Sequence, residues 1–350
     1  MLADRFFPAQ IVLGILHFGA GAAMLGAAAA SQSADLSPGL VNGLLLLHML
    51  FFMPTLGLIN TISFAHLERT ERQFPLIRVF GTIGWIVAGV FVSRHLAADA
   101  TVLPLQIAAG GSFALGLYAF TLPHTAPKGK GGKVSVRDLF GIDALSLMKD
   151  RSFAVFMLCS FLICIPLSFY YAFTAQFINE AGIADPGFKM TFGQMSEILF
   201  MVVMPFFFVR LGVRKMLLVG MLAWVIRYAL FALGASPMVT WMLMGGIVLH
   251  GICYDFFFVT GQVYVDRRAP AKIRGAAQGL LVLCTLGLGM LIGAQVAGMV
   301  KTHFTPHLAG SLEYWQSVLL VPAVLSLVVA LVFGMFFREQ PGAVSPGERS

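Results

Sequence analysis

Apolar residues in this chain arrive in blocks of about 20, the length at which a helix spans roughly 30 Å of hydrocarbon. Short polar stretches separate them. Ten such blocks are predicted, at 9–30, 40–62, 77–95, 102–122, 152–178, 190–209, 216–235, 238–264, 275–300 and 313–337. The short alternating segments of a β-barrel do not occur. The first block lacks a basic region ahead of it, and the "AAAASQSA" that follows leads into further apolar sequence, so it reads as a span and not as a cleavable signal peptide. The pattern predicts an all-α membrane protein.

Charge orders these blocks. Of the 23 Lys and Arg, Arg94, Lys189 and Lys301 fall in loops on one side, Arg78 and Arg227 fall within spans, and all the others fall in loops on the side of the termini. An even number of spans puts both termini on one face, and the excess of cations there predicts that this face is cytoplasmic. One connection differs from the rest: residues 123–151, "PHTAPKGKGGKVSVRDLFGIDALSLMKDR", are long, basic and Gly/Pro-rich at their start. They read as a cytoplasmic linker between a bundle over 1–122 and a six-helix bundle over 152–338, followed by a tail at 339–350.

Four spans before the linker and six after it fall two short of the paired six-helix halves of many secondary transporters. Within the second half, "MVVMPFFFVRLGVRKMLLVG" carries a tight cationic turn at Arg210, Arg214 and Lys215, and "MLADRFFPAQIVLG" reads as the matching turn of the first half. The expectation is a chain that begins at the loop after the second helix of a twelve-helix architecture.

Composition narrows function. With 58% hydrophobic and 11% charged residues, the chain lies far from a soluble average. The net charge of +7 and pI of 9.4 are accounted for by loop cations, so no nucleic acid partner is implied. Cys159, Cys164, Cys253 and Cys284 all lie in apolar runs without CxxC spacing and read as small hydrophobes, with no metal site. His17, His48 and His250 are spaced too irregularly for a metal constellation. No HExxH, GxSxG or GxxxxGK[ST] motif is present, so neither an enzyme nor an ATP-driven pump is expected, and no cofactor is called for.

The informative residues are the polar ones inside spans, because a charge at the bilayer centre costs roughly 2.5–3.5 kcal/mol on insertion scales and needs a partner or an aqueous cavity. Arg78, Thr82 and Trp85 in "FPLIRVFGTIGWIVAGVF" put a cation, a hydroxyl and an aromatic plate on one helical face. The competing reading of Arg78 is an interfacial arginine snorkelling to lipid phosphate. Gln194 and Glu197 are three apart in "TFGQMSEILFMVVMPFFF", with no cation in that span. A carboxyl so placed is a candidate to take up and release a proton, against the alternative of a helix-packing hydrogen bond. Asp255, beside Tyr254 in "GICYDFFFVTGQVYVD", is a second lone carboxylate, for which Arg227 in "AWVIRYALF" is an available ion-pair partner. Tyr170 and Tyr171 are candidates either to stack on a flat ligand or to pack in the core.

Several stretches are specific enough to carry a resemblance: "FMPTLGLINTISF", "FPLIRVFGTIGWI", "GQMSEILFMVVMPFFFVRLGVRKML", "AWVIRYALFALG" and "YDFFFVTGQVYVD" followed by "IRGAAQG". In this order they resemble the nucleoside:proton symporters of the major facilitator superfamily, from Ala3 to about Phe337. The resemblance implies a helical bundle of that superfamily's type, here with about ten of twelve transmembrane helices, and aligns Ala3-Asp4-Arg5 with the loop between the family's second and third helices. It carries Arg78 and Thr82 onto the family's cavity arginine and threonine, Trp85 onto another aromatic, Gln194 and Glu197 onto its glutamine and glutamate, and Tyr254 and Asp255 onto an aromatic and its adjacent aspartate. Ser168 and Tyr171 stand where the family has glutamine and asparagine, and His250 where it has tyrosine.

The expected activity is proton-coupled nucleoside import across the inner membrane by a monomer, with nucleoside and proton as the transported partners, the lipid bilayer as surroundings, and Glu197 and Asp255 as proton-coupling groups. A sugar or polyol symporter and a non-transporting sensor or scaffold are the alternatives. Oligomeric state is silent in the residues themselves.

Overall fold

The computed structural model describes residues 7–33, 37–96, 98, 101–127, 142–183, 186–308 and 312–338. The opening Ala3-Asp4-Arg5, most of the basic part of the linker and the tail at 339–350 lie outside them. Among the described residues all regular elements are helices. They are α1 (Ala9–Ser31), α2 (Pro38–Ala65), α3 (Thr70–Val90, continued by a wide turn Phe91–His95), α4 (Leu103–Ala119), a 3-10 stretch Ile142–Lys149, and α5 (Arg151–Glu180). Then come α6 (186–211), α7 (213–235), α8 (Thr240–Arg268), α9 (Ala271–Thr305) and α10 (Leu312–Phe336).

Eight helices among the described residues are long and apolar enough to cross a membrane. Three expected blocks depart from that description. Leu103–Ala119 is apolar but only 17 residues long, and the blocks at 190–209 and 216–235 share one helical run, Pro186–Ala235, interrupted only at Gly212 (φ 68°, ψ 175°). A glycine tolerates that left-handed backbone without a Cβ clash, so the cationic turn is compressed to a single residue.

Helix starts follow local chemistry. Ser37 caps α2 by accepting the Leu40 N–H, with proline at the first turn, and Asp150 caps α5 by accepting the Phe153 N–H at 2.9 Å. Pro166 inside α5 frees part of the backbone ladder, and its carbonyl accepts from the Tyr228 hydroxyl of α7.

The chain separates into two compact units, one of Met1–Glu68, Gly84–Ser146 and Ala269–Val282, the other of Arg69–Ile83, Leu147–Arg268 and Leu283–Ser350. In the first, α1 packs on α2 and α4. A Cβ built on Gly14 would lie 3.0 Å from the Gly116 carbonyl, so small residues let the backbones meet. Gln10 bridges to His124 at 3.0 Å and to the Thr125 N–H at 3.0 Å, tying α1 to the segment after α4.

The second unit packs α5, α9 and α10 and the α6–α7 run with α8. Its buried interior holds Phe153, Phe156, Trp224, Tyr228 and Trp315. At one end of its helices Arg267 pairs with Glu71 at 2.8 Å and Arg268 with Asp150.

Candidate functional site

The site grows from one close helix crossing in the second unit. A Cβ on Gly251 of α8 would fall 2.6 Å from the backbone carbonyl of Ser196 on α6. The backbones therefore touch, and the contact is fastened by the Gly251 N–H donating to Ser196 Oγ at 2.9 Å. Glu197, next along α6, is thereby brought against α8.

Glu197 is buried, at 7% exposure. Its Oε1 accepts from the Thr82 hydroxyl of α3 at 2.8 Å. Its Oε2 lies 3.7 Å from His250 Nε2, while His250 Nδ1 lies 3.2 Å from an Arg227 guanidinium nitrogen. Arg227 sits face-on over the Tyr170 ring at 3.4 Å, and Tyr170 stacks on the His250 imidazole at 5.2 Å and 17°. Arg78 lies within electrostatic range of Glu197, Asp255 and the Tyr254 phenol.

Asp255 is wholly buried and begins a wide π-type turn, Asp255–Val259, an element that occurs disproportionately at functional positions. Among the described residues neither of its carboxylate oxygens has a hydrogen-bond partner, nor has Gln194 Oε1. Its charged neighbours are Glu197 and Arg78. Two carboxylates, one guanidinium, a hydroxyl, an amide and a phenol thus gather where lipid contact would be costly.

Arg78, Thr82, Glu197, Tyr254 and Asp255 are brought together, with Gln194 one turn from Glu197 on the same helix. Trp85 belongs to the first unit and is 59% exposed. The ion pair of Asp255 with Arg227 that the sequence offers does not form. Arg227 is turned toward His250, and five residues of helix separate His250 from Asp255 by about 140° around the axis.

Two further residues explain departures from the family pattern. Ser168 is occupied in helix packing, its hydroxyl donating to the Cys164 carbonyl at 3.0 Å and reaching the Met290 carbonyl at 3.2 Å. Tyr171 is half exposed, edge-on to Tyr170 at 5.6 Å, and within electrostatic reach of Tyr254 and Glu197. His250 and Arg227 escaped the sequence reading as members of the cluster. The available signal was the i, i+4 spacing of His250 and Tyr254, which puts both on one face.

A family model described as nucleoside H+ symporter matches residues 1–341. The chain is 42% identical to the "Putative nucleoside transporter YegT" of Escherichia coli (strain K12), over 98% of this chain and 82% of that protein. It is 32% identical to the "Nucleoside permease NupG" of the same organism, over 100% of this chain and 85% of the other. A crystal structure of the nucleoside transporter NupG, 32% identical, superposes with a TM-score of 0.67, covering 95% of this chain and 84% of that one. The major facilitator superfamily transporter FucP, at 15% identity, shares the fold with a TM-score of 0.64, covering 95% of this chain and 83% of its own.

Proposed function

The chain belongs to the nucleoside H+ symporter family, and from that premise we propose that it carries nucleosides inward across the cytoplasmic membrane together with protons, by alternating access. The observation that supports this most is the pair of buried carboxyls, Glu197 and Asp255, sharing Arg78 as a charged neighbour. In this reading ribose hydroxyls and the base edge pair with Gln194, Arg78 and Thr82, and Tyr254 offers a ring for the base. Polar pairing orients the ligand and stacking adds affinity.

Protonation of Glu197, or of Asp255, removes a buried charge and lets the loaded carrier switch the side it faces. Each carboxyl then plays two parts, accepting hydrogen bonds from the solute when charged and discharging the site when protonated. The working unit is a monomer with both termini cytoplasmic and residues 123–151 linking two bundles.

Uptake of labelled uridine into proteoliposomes under an imposed inward pH gradient tests this. Accumulation above equilibrium is expected for the parent and none for Glu197→Gln. Unaltered pH-driven accumulation by Glu197→Gln overturns the assignment. Because Ser168 is engaged in packing and Tyr171 stands in place of an amide, a polyol-binding version of the same site is the second reading. Competition of uridine uptake by adenosine but not by disaccharides decides against it.

A further inference from the structure

We propose that His250, oriented by Arg227, is a positioning residue for Glu197: the arginine fixes which imidazole nitrogen carries the hydrogen, and so aims an N–H at the carboxyl. This rests on the reading of Glu197 as the proton-exchanging group.

Arg227 lies in α7 and is wholly buried. Its neighbours are aromatic faces, with Tyr170 at 3.4 Å, Trp224 at 5.3 Å and Phe231 at 5.8 Å, an arrangement that stabilises a cation through ring quadrupoles. Its polar contact is His250 Nδ1 at 3.2 Å. A guanidinium carries donors and no acceptor, so Nδ1 must present its lone pair, and the ring hydrogen resides on Nε2. That nitrogen is the one facing Glu197 Oε2 at 3.7 Å.

The ring has little freedom to turn away. Tyr170 stacks on it nearly parallel, and a Cβ on Gly193 would lie 3.1 Å from His250 Cβ and 3.5 Å from the Tyr170 hydroxyl. Glu197 is therefore bracketed, with the Thr82 hydroxyl on one oxygen and the imidazole N–H opposite the other. At 3.7 Å the second contact is electrostatic, longer than a hydrogen bond. A small rotation of the carboxylate closes it, which gives the charged form of Glu197 a second donor. A tyrosine at this position has a single polar atom, whereas an imidazole has two on different edges and transmits the orientation of Arg227 to Glu197.

Infrared difference spectra of reconstituted protein, recorded between acid and alkaline buffer, test the relay independently of transport. The carboxyl stretching band missing from Glu197→Gln belongs to Glu197, and its frequency reports the donors on that group. The band is expected to move in His250→Leu and in Arg227→Met, and to return toward the parent position in His250→Gln, whose amide supplies an acceptor and a donor at similar spacing. Uridine uptake should fall about tenfold in His250→Leu, as for loss of a charge-assisted contact, and recover in His250→Gln. His250→Asn, polar but too short to reach both partners, should behave like His250→Leu and serves if the leucine variant does not fold. An unmoved Glu197 band in His250→Leu or His250→Asn, or a parent spectrum in which no band responds to Glu197→Gln, overturns the proposal. A parent that fails to carry uridine while the band still moves would count against nucleoside transport and leave the relay standing.

Discussion

Glu197 illustrates how a membrane interior prices a single carboxyl. Removed from water it needs donors, and the structure supplies Thr82 at 2.8 Å from α3 and the His250 ring from α8. Hydrogen bonds to charged groups contribute roughly 1.5–3 kcal/mol each. Thr82→Val, which keeps the shape and removes the donor, should therefore lower uridine uptake by about tenfold or more, while Thr82→Ser stays near the parent; equal uptake by the valine and serine variants would show that the hydroxyl is irrelevant. Much at this scale was legible in the sequence. A charge in an apolar run demands an explanation, and that demand alone singled out Arg78, Glu197 and Asp255. What was not legible was partner choice, since Arg227 had two candidates on α8 and only the turn of the helix decides between His250 and Asp255.

Helices here are positioned by what their side chains lack. Gly251 lets α8 touch the backbone of α6, and Ser196 locks the crossing by accepting the Gly251 N–H. Gly251→Val should separate the two helices, lower stability by about 1–3 kcal/mol as overpacking does, and reduce uptake, all measurable by a thermal-unfolding assay in detergent alongside transport. A melting temperature equal to the parent's would mean that the crossing is looser than described. Periodicity placed these helices well, since apolar runs of this length have few alternatives in lipid. It placed a break between 190–209 and 216–235 but made it too long, because a cationic turn reads as a loop of several residues and one left-handed glycine suffices. It missed the π-type turn at Asp255–Val259, whose extra residue leaves no mark in an apolar sequence.

For the whole molecule the strongest organising signal is the sidedness of charge. Some loop cations are engaged, Arg267 with Glu71 and Arg268 with Asp150, while Arg214 donates to the Gly334 carbonyl at 2.8 Å. The excess on one face still sets the expected orientation. A fluorescent protein fused after residue 350 should glow, and alkaline phosphatase fused at the same point should stay silent; active phosphatase would invert the topology. Sidedness was open to an expectation because it depends on counting. The division into compact units was not, since α3 and α9 each contribute residues to both, and contiguous boundaries cannot express that.

The wide turn at Asp255 has a consequence for how variants of this chain should be read. A turn of that kind absorbs one residue in excess of regular helical register, so deleting one residue from the turn, Asp255 itself spared, would convert it to ordinary α-helix and leave everything downstream to Arg268 in place. Arg267 and Arg268 would keep Glu71 and Asp150, and the change would fall on the turn that Asp255 begins. An alignment gap of one position in this run of phenylalanines, ordinarily dismissed as a neutral indel, marks a carrier whose interior acid sits on a regular helix while its terminal ion pairs stay where they are.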